Sequence, residues 1–333
     1  MNETLFDNKS IRRIFSRIGF SLCVMLVISV VLQLLWVNIP VLFLGTENWF
    51  TSSSWGLWIG SFVPLYLIAI PVGLLIIRKL PAETTDGEKF SVRQLLTFIP
   101  ICMCLMYAGN LVGTILSFVL SKGQAQNSLL NYAMDTNPLK IPVVVILGPM
   151  IEELVFRKII IDRTRVYGEK TAVIFSAFLF ALFHQNLYQF FYAFALGLVF
   201  GYVYIRSSRL HYTIILHAII NFLGSVVAPW IIKLSSVADL SKLDDATMQS
   251  EQLVQNLLTV LPAYLLLLLY SATLLGMSIW GLVLLIDKGK KARWQEARCQ
   301  LAKDIVIKTV YINTGMIIFL MLCTASTIFM LFQ

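Results

Sequence analysis

Residues Leu139–Ile161 read LKIPVVVILGPMIEELVFRKIII. The stretch is long enough to cross a bilayer's hydrocarbon core as a helix, which takes about 20 residues. Two adjacent acids, Glu152 and Glu153, lie inside it, with Arg157 and Lys158 following. A charge at mid-bilayer costs about 2.5–3.5 kcal/mol on insertion scales, so polar residues inside a span are the informative ones. The rest of the chain has the same apolar character. Of its 333 residues, 58% are hydrophobic and 13% charged, and the mean hydropathy is +0.80. A soluble domain sits nearer half apolar and a quarter charged. A water-soluble globular enzyme, a disordered chain and a coiled coil are thereby excluded. The apolar runs are continuous rather than alternating, which selects helices over a β-barrel.

Apolar stretches fall at Ile18–Val37, Leu57–Ile77, Leu95–Leu120, Leu139–Ile161, Thr171–Leu187, Tyr188–Ile205, Tyr212–Trp230, Leu258–Ile286 and Ile305–Phe332. They predict an all-α polytopic bundle of about eight or nine spans. The fifth and sixth nearly touch and read as one bent hairpin. With the N-terminus in the cytoplasm, alternation puts 22 of the 26 Lys and Arg inside and leaves Lys122, Lys140, Lys233 and Lys242 outside. Cytoplasmic loops collect such residues, so the net charge of +8 points to membrane orientation and not to nucleic acid. Trp36, Trp49, Trp55, Trp58 and Trp230 then fall at the outer interface as an aromatic belt. The whole chain, 1–333, reads as a single membrane domain. Its core segment, 139–230, carries the polar residues, and 258–332 adds C-terminal helices. The linkers are Pro81–Ser91, Gln124–Pro138, Ser235–Gln252 and Lys288–Lys303. The first span is too long for a cleaved signal and reads as an anchor. None of the five cysteines falls in an outer segment, so no disulfide framework is expected, and Cys102 and Cys104 read as packing.

Residues four apart share a helix face. Glu153 and Arg157 have the favoured acid-first order and read as a neutralised pair. Glu152 points elsewhere and needs a partner across the bundle or trapped water. Phe180 and His184 share one face, and His217 and Asn221 share another. Asn221 is expected to orient the imidazole or to donate to a substrate oxyanion. His211, beside Arg209, reads as interfacial. At 1.5 Å per residue, Glu152 lies roughly 20 Å below the outer face and His217 roughly 8 Å from the inner one, which agree. His184, roughly 20 Å along a helix starting at Thr171, fits only if that helix projects into the cytosol or tilts. Glu152, His184 and His217 are then free to converge on one pocket, which a kink at Pro149 helps to open. There is no H-E-x-x-H, no G-x-S-G and no aspartate pair inside a span. That argues against zincin, serine and aspartyl chemistries.

In these residues the sequence resembles the CPBP family, the CAAX-protease and bacteriocin-processing membrane proteases also called Abi. The motif E-E-x-x-x-R is met by Glu152, Glu153 and Arg157, F-x-x-x-H by Phe180 and His184, and H-x-x-x-N by His217 and Asn221. The segment with Gly197 and Gly201 looks like the family's Gly-rich helix. The likeness covers about Ile141–Pro229, and Lys158 departs from it where the family often has Gly. The resemblance implies an intramembrane endopeptidase, cleaving a peptide or protein substrate near the cytoplasmic face, with the first Glu and two His holding a water. It implies either a zinc at Glu152, His184 and His217, a set that suits an open catalytic site, or no cofactor. In the cofactor-free version Glu152 is the general base, His184 helps hold the water, and His217 with Asn221 stabilises the oxyanion. Glu153, Arg157 and Phe180 are then structural supports. A different class of function is a non-proteolytic scaffold that binds a membrane partner protein. It is suggested by the apolar mass of 258–332 and an acidic outer loop with Asp239, Asp244, Asp245 and Glu251. A transporter would show paired broken helices in two similar halves, and none is seen. With no eukaryotic targeting signal, a bacterial plasma membrane is the expected location.

Overall fold

A computed structural model of the chain describes residues 7–127, 132–237 and 250–332. Asp239, Lys242, Asp244, Asp245 and the side chain of Glu251 lie outside the described residues. Among those described, the regular structure is all helical. The principal helices are α1 (Asn8–Leu44), α2 (Ser54–Ile77), α3 (Val92–Leu120), α4 (141–161), α5 (Glu169–Phe183), α6 (Leu187–Ser207), α7 (Leu210–Leu234), α8 (Ser250–Lys290) and α9 (Thr314–Leu331). Seven of them, all but α4 and α5, have the length and composition to cross a membrane. α4 carries the motif charges, and α5 has only 15 residues.

The helices follow the expected stretches in order, but three differ in extent. α8 runs from Ser250 to Lys290, beyond the expected Leu258–Ile286 at both ends. α1 runs on through Pro40 to Leu44. The last stretch, Ile305–Phe332, is broken. A π-helical turn, Ile307–Tyr311, stops at Ile312, and α9 begins after Asn313. The Asn313 side chain accepts from the Met316 N–H, and its amide donates to the Thr309 and Val310 carbonyls. One buried polar residue satisfies both helix ends there, and this outweighs the hydropathy that would continue the helix.

α5 and α6 form a close antiparallel hairpin. A Cβ on Gly197 would lie 2.9 Å from the Ala177 Cα, so only glycine lets the two backbones approach this far. The central core gathers Phe15, Ile18 and Leu22 of α1, Phe156 and Ile160 of α4, Phe175 and Leu179 of α5, and Phe319 of α9. α8 packs along α3, and α9 along α1, so both C-terminal helices flank the motif region.

The basic segments meet at one end of the bundle. Arg206 pairs with Glu88, Arg165 donates to the Ile205 carbonyl, and Arg12 donates to the Ile312 carbonyl. The backbone of Cys299 and Leu301 donates to Val166 and Tyr167. At the opposite end, Ser54 and Trp58 donate to Asp135 Oδ2 at 2.8 and 2.7 Å, and the Asn137 N–H donates to Oδ1. Partial burial raises the Asp135 carboxyl, but these hydrogen bonds and Lys140 outweigh it and hold the group below its ordinary range. Trp58 is therefore not a belt residue. It is 1% exposed, and its N–H has the Asp135 carboxylate as acceptor, whereas Trp49, Trp55 and Trp230 are exposed.

Candidate active site

α4 changes its winding twice. Ile141–Leu147 is π-helical, Gly148–Glu153 is α-helical, and Leu154–Ile161 is π-helical again. Pro142 and Pro149 withhold two N–H donors from the helix. Such wide turns recur at functional sites. The α-helical turn between them points Glu152 and Glu153 about 100° apart.

Glu153 is fully buried and divides its two oxygens. Oε2 lies 3.0 Å from Arg157 Nε, and Oε1 lies 2.9 Å from His217 Nδ1 on α7. The Arg157 guanidinium sits over the rings of Phe180 and Phe200, at 4.6 and 5.6 Å. Its two terminal nitrogens have no hydrogen-bond acceptor among the described residues, so the aromatic faces add to the Glu153 carboxylate in offsetting the buried charge. His217 stacks on Phe200 at 5.2 Å and meets the edge of Phe180. An ionised carboxylate only accepts, so Nδ1 carries the imidazole proton. Nε2 then faces Glu152 Oε2 at 3.7 Å. The other oxygen of Glu152 accepts a 3.0 Å hydrogen bond from the Tyr66 hydroxyl of α2.

His184 caps the C-terminal end of α5. Gln185 then turns the chain in the left-handed region at φ 52°, and Asn186 N-caps α6 by accepting from the Tyr188 N–H. The depth question is resolved by register. The Ser176 hydroxyl donates to the Phe156 carbonyl, and α5 runs antiparallel to α4. Four residues on along α5 and four back along α4, Phe180 stands level with Glu152. His184 is one turn beyond, and side chains lean toward a helix's N-terminus, which brings it back toward that level. α5 starts within the basic end, where Glu169 pairs with Arg165 and accepts from the Gln295 N–H.

Glu152 and His184 line one cavity of about 230 Å³, together with Met25, Ser29 and Gln33 of α1, Tyr66 and Ile70 of α2, and Gln185. α1 and α2 run antiparallel, with Ser21 bonded to Gly73 and Gln33 to Ser61. Met25 and Ile70 are buried, while Val30 is 43% exposed. Val30, Gln33 and Gln185 line the side of the cavity farther from the basic end. The basic end is closed: Ile160, Ile161 and Tyr167 are fully buried beneath the interlocked loops.

Glu152, Glu153, Arg157, Phe180, His184 and His217 thus meet in one place. Asn221 does not orient His217. Its amide donates to the Val144 carbonyl at 2.9 Å, within the first π-helical stretch, and Glu153 orients the imidazole instead. His211 is exposed against Tyr212, away from the site. Two features escape a reading by spacing: Tyr66 and the α1 wall of the cavity. A tyrosine hydroxyl inside an apolar span needs a partner, and that signal was available for Tyr66.

The family described as Type II CAAX prenyl endopeptidase Rce1-like matches residues 135–223, which hold all three motifs. YdiL of Bacillus subtilis (strain 168), named a membrane peptidase, is 30% identical over 174 residues, covering 50% of this chain and 69% of YdiL. The chain belongs to the CAAX-protease (CPBP) family. It is a multi-pass membrane peptidase. No solved structure gives a significant match. Among the described residues, as their side chains stand, no group of three His, Cys, Asp or Glu is spaced to hold a metal ion.

Proposed function

We propose that this peptidase hydrolyses a peptide bond with a water activated by Glu152. The observation that carries the reading is the 3.7 Å gap between Glu152 Oε2 and His217 Nε2 beside the cavity. With His217 neutral and its proton on Nδ1, Nε2 and Glu152 Oε2 are two acceptors, and a water between them can donate one hydrogen to each. Glu152 takes a proton as the water oxygen attacks the scissile carbonyl carbon. The C–N bond of the tetrahedral intermediate then breaks, and the same proton passes to the leaving amine. With Nδ1–H held by Glu153, His217 serves as an acceptor for the water. Oxyanion stabilisation then falls to His184, and Asn221 braces α4 against α7. Apolar walls at Met25, Ile70 and Phe156 favour an apolar residue beside the scissile bond.

The test is cleavage of internally quenched peptides by the full chain in liposomes, with products weighed by mass spectrometry. Product masses should sum to the substrate plus one water, and Glu152→Ala and His217→Ala should abolish the signal. Cleavage at the parent rate by both variants would overturn the reading. Activity that survives chelator is the expected result for a metal-free site. Loss with chelator and recovery with zinc would restore the zinc version. The scaffold alternative rests on the apolar mass of 258–332 and the acidic loop outside the described residues; in the most apolar stretch of α8 only 6% is buried. A lipid-facing helix has the same exposure, so this observation does not displace the peptidase reading.

A further inference from the structure

We propose that Tyr66 is a positioning residue that holds the Glu152 carboxylate in its working orientation, seated in a notch left by Gly148. The proposal rests on the peptidase reading above and concerns α2, which lies outside residues 135–223. Tyr66 is 7% exposed, and its hydroxyl donates to Glu152 Oε1 at 3.0 Å. With Oε1 anchored, Oε2 is the oxygen left facing His217. The ring has little freedom of its own. Trp58, Phe62 and Tyr66 recur every four residues and form a column, with centroids 5.0 and 5.6 Å apart and planes 20° and 7° from parallel. The column is anchored at its far end by the Trp58 bond to Asp135. Between Phe62 and Tyr66 the helix turns π-helical at Val63–Ala69, beginning just before Pro64.

The notch is a second, separate observation. Gly148 is one turn before Glu152 on α4. A Cβ added there would lie 3.1 Å from the Tyr66 hydroxyl and 3.1 Å from the Val143 carbonyl. Any larger residue at 148 crowds the oxygen that must reach Glu152. Helix propensity alone would favour alanine at this position, by roughly 1 kcal/mol. The glycine is thus explained by the close approach of the Tyr66 hydroxyl and the Val143 carbonyl, and not by helix propensity.

A hydrogen bond to a charged group is worth enough that its loss should lower kcat about 10–100-fold. The experiment compares the full chain with Tyr66→Phe, Gly148→Ala and the double variant in liposomes, using internally quenched peptides. Both single variants should lower kcat with KM unchanged. The double variant should lose no more than Tyr66→Phe alone, because both remove one contact. Kcat within twofold of the parent for Tyr66→Phe, or multiplicative losses in the double variant, overturns the proposal. Glu152→Gln separates the levels. If it stays active, the peptidase reading fails; if it is inactive while Tyr66→Phe is fully active, only the positioning role fails. A readout free of substrate is the infrared carboxylate stretch, assigned by its loss in Glu152→Gln. It should shift in Tyr66→Phe, and an unmoved band contradicts the proposal.

Discussion

Arg157 and Glu153 are both fully buried, and each is the other's only opposite charge at contact distance among the described residues. Removing one partner of such a pair strands a charge, which costs about 3–5 kcal/mol. Arg157→Met should therefore destabilise by about that amount in denaturant unfolding, with detergent held fixed. Adding Glu153→Gln should recover part of the loss, because the stranded carboxylate is gone. A double variant no more stable than the single one would contradict the account. The pairing itself could be read from the chain, since four residues separate the two side chains on one helix. The second partner of Glu153 could not. His217 lies 64 positions away, and which faces of two helices meet is set by packing, not by spacing along either. The same holds for Asn221. Its one-turn offset from His217 was legible, but the carbonyl it bonds belongs to a π-helical stretch that no local pattern announces.

The α5–α6 hairpin shows what an element contributes. α5 delivers His184 at its last turn, and its seat on α6 depends on the absence of a side chain at Gly197. Gly197→Leu should cost about 1–3 kcal/mol by overpacking and move His184 off the cavity wall, so cleavage should fall together with thermal stability. Unchanged activity in that variant would mean His184 does not depend on this contact. α2 offers an acid test. The Asp135 carboxyl is held below its ordinary range by Trp58, Ser54 and Asn137. Its stabilisation is therefore complete above the unfolded carboxyl range, near about 3.9, and is lost as pH falls through the lowered folded value. Thermal stability of the parent should drop on acidification below about pH 4, and Asp135→Asn should flatten that drop. Helix order was legible from continuous apolar runs. The ends were less so, because Asn313 stops a helix that hydropathy would carry through.

Across the whole molecule, charge is sorted by end. The positive-inside rule expects the basic end to be cytoplasmic. Single cysteines in a background without the native ones report this directly. Lys291→Cys at the basic end should react with an impermeant thiol reagent only from the inside, and Gln124→Cys only from the outside. The reverse pattern would invert the orientation and leave the site geometry untouched. The class of the protein and the motif set were readable from composition and three short patterns. The direction of access was not, because it depends on which loops close over the bundle. The account as a whole depends on the Glu152 carboxylate acting on the reacting water. The most direct measurement is kcat of Glu152→Gln against the parent in the same liposomes, with equal folded fractions by thermal unfolding. We predict a fall of about 10²–10⁴-fold, the usual range for loss of a general base. A Glu152→Gln protein that cleaves at the parent rate would contradict the central claim.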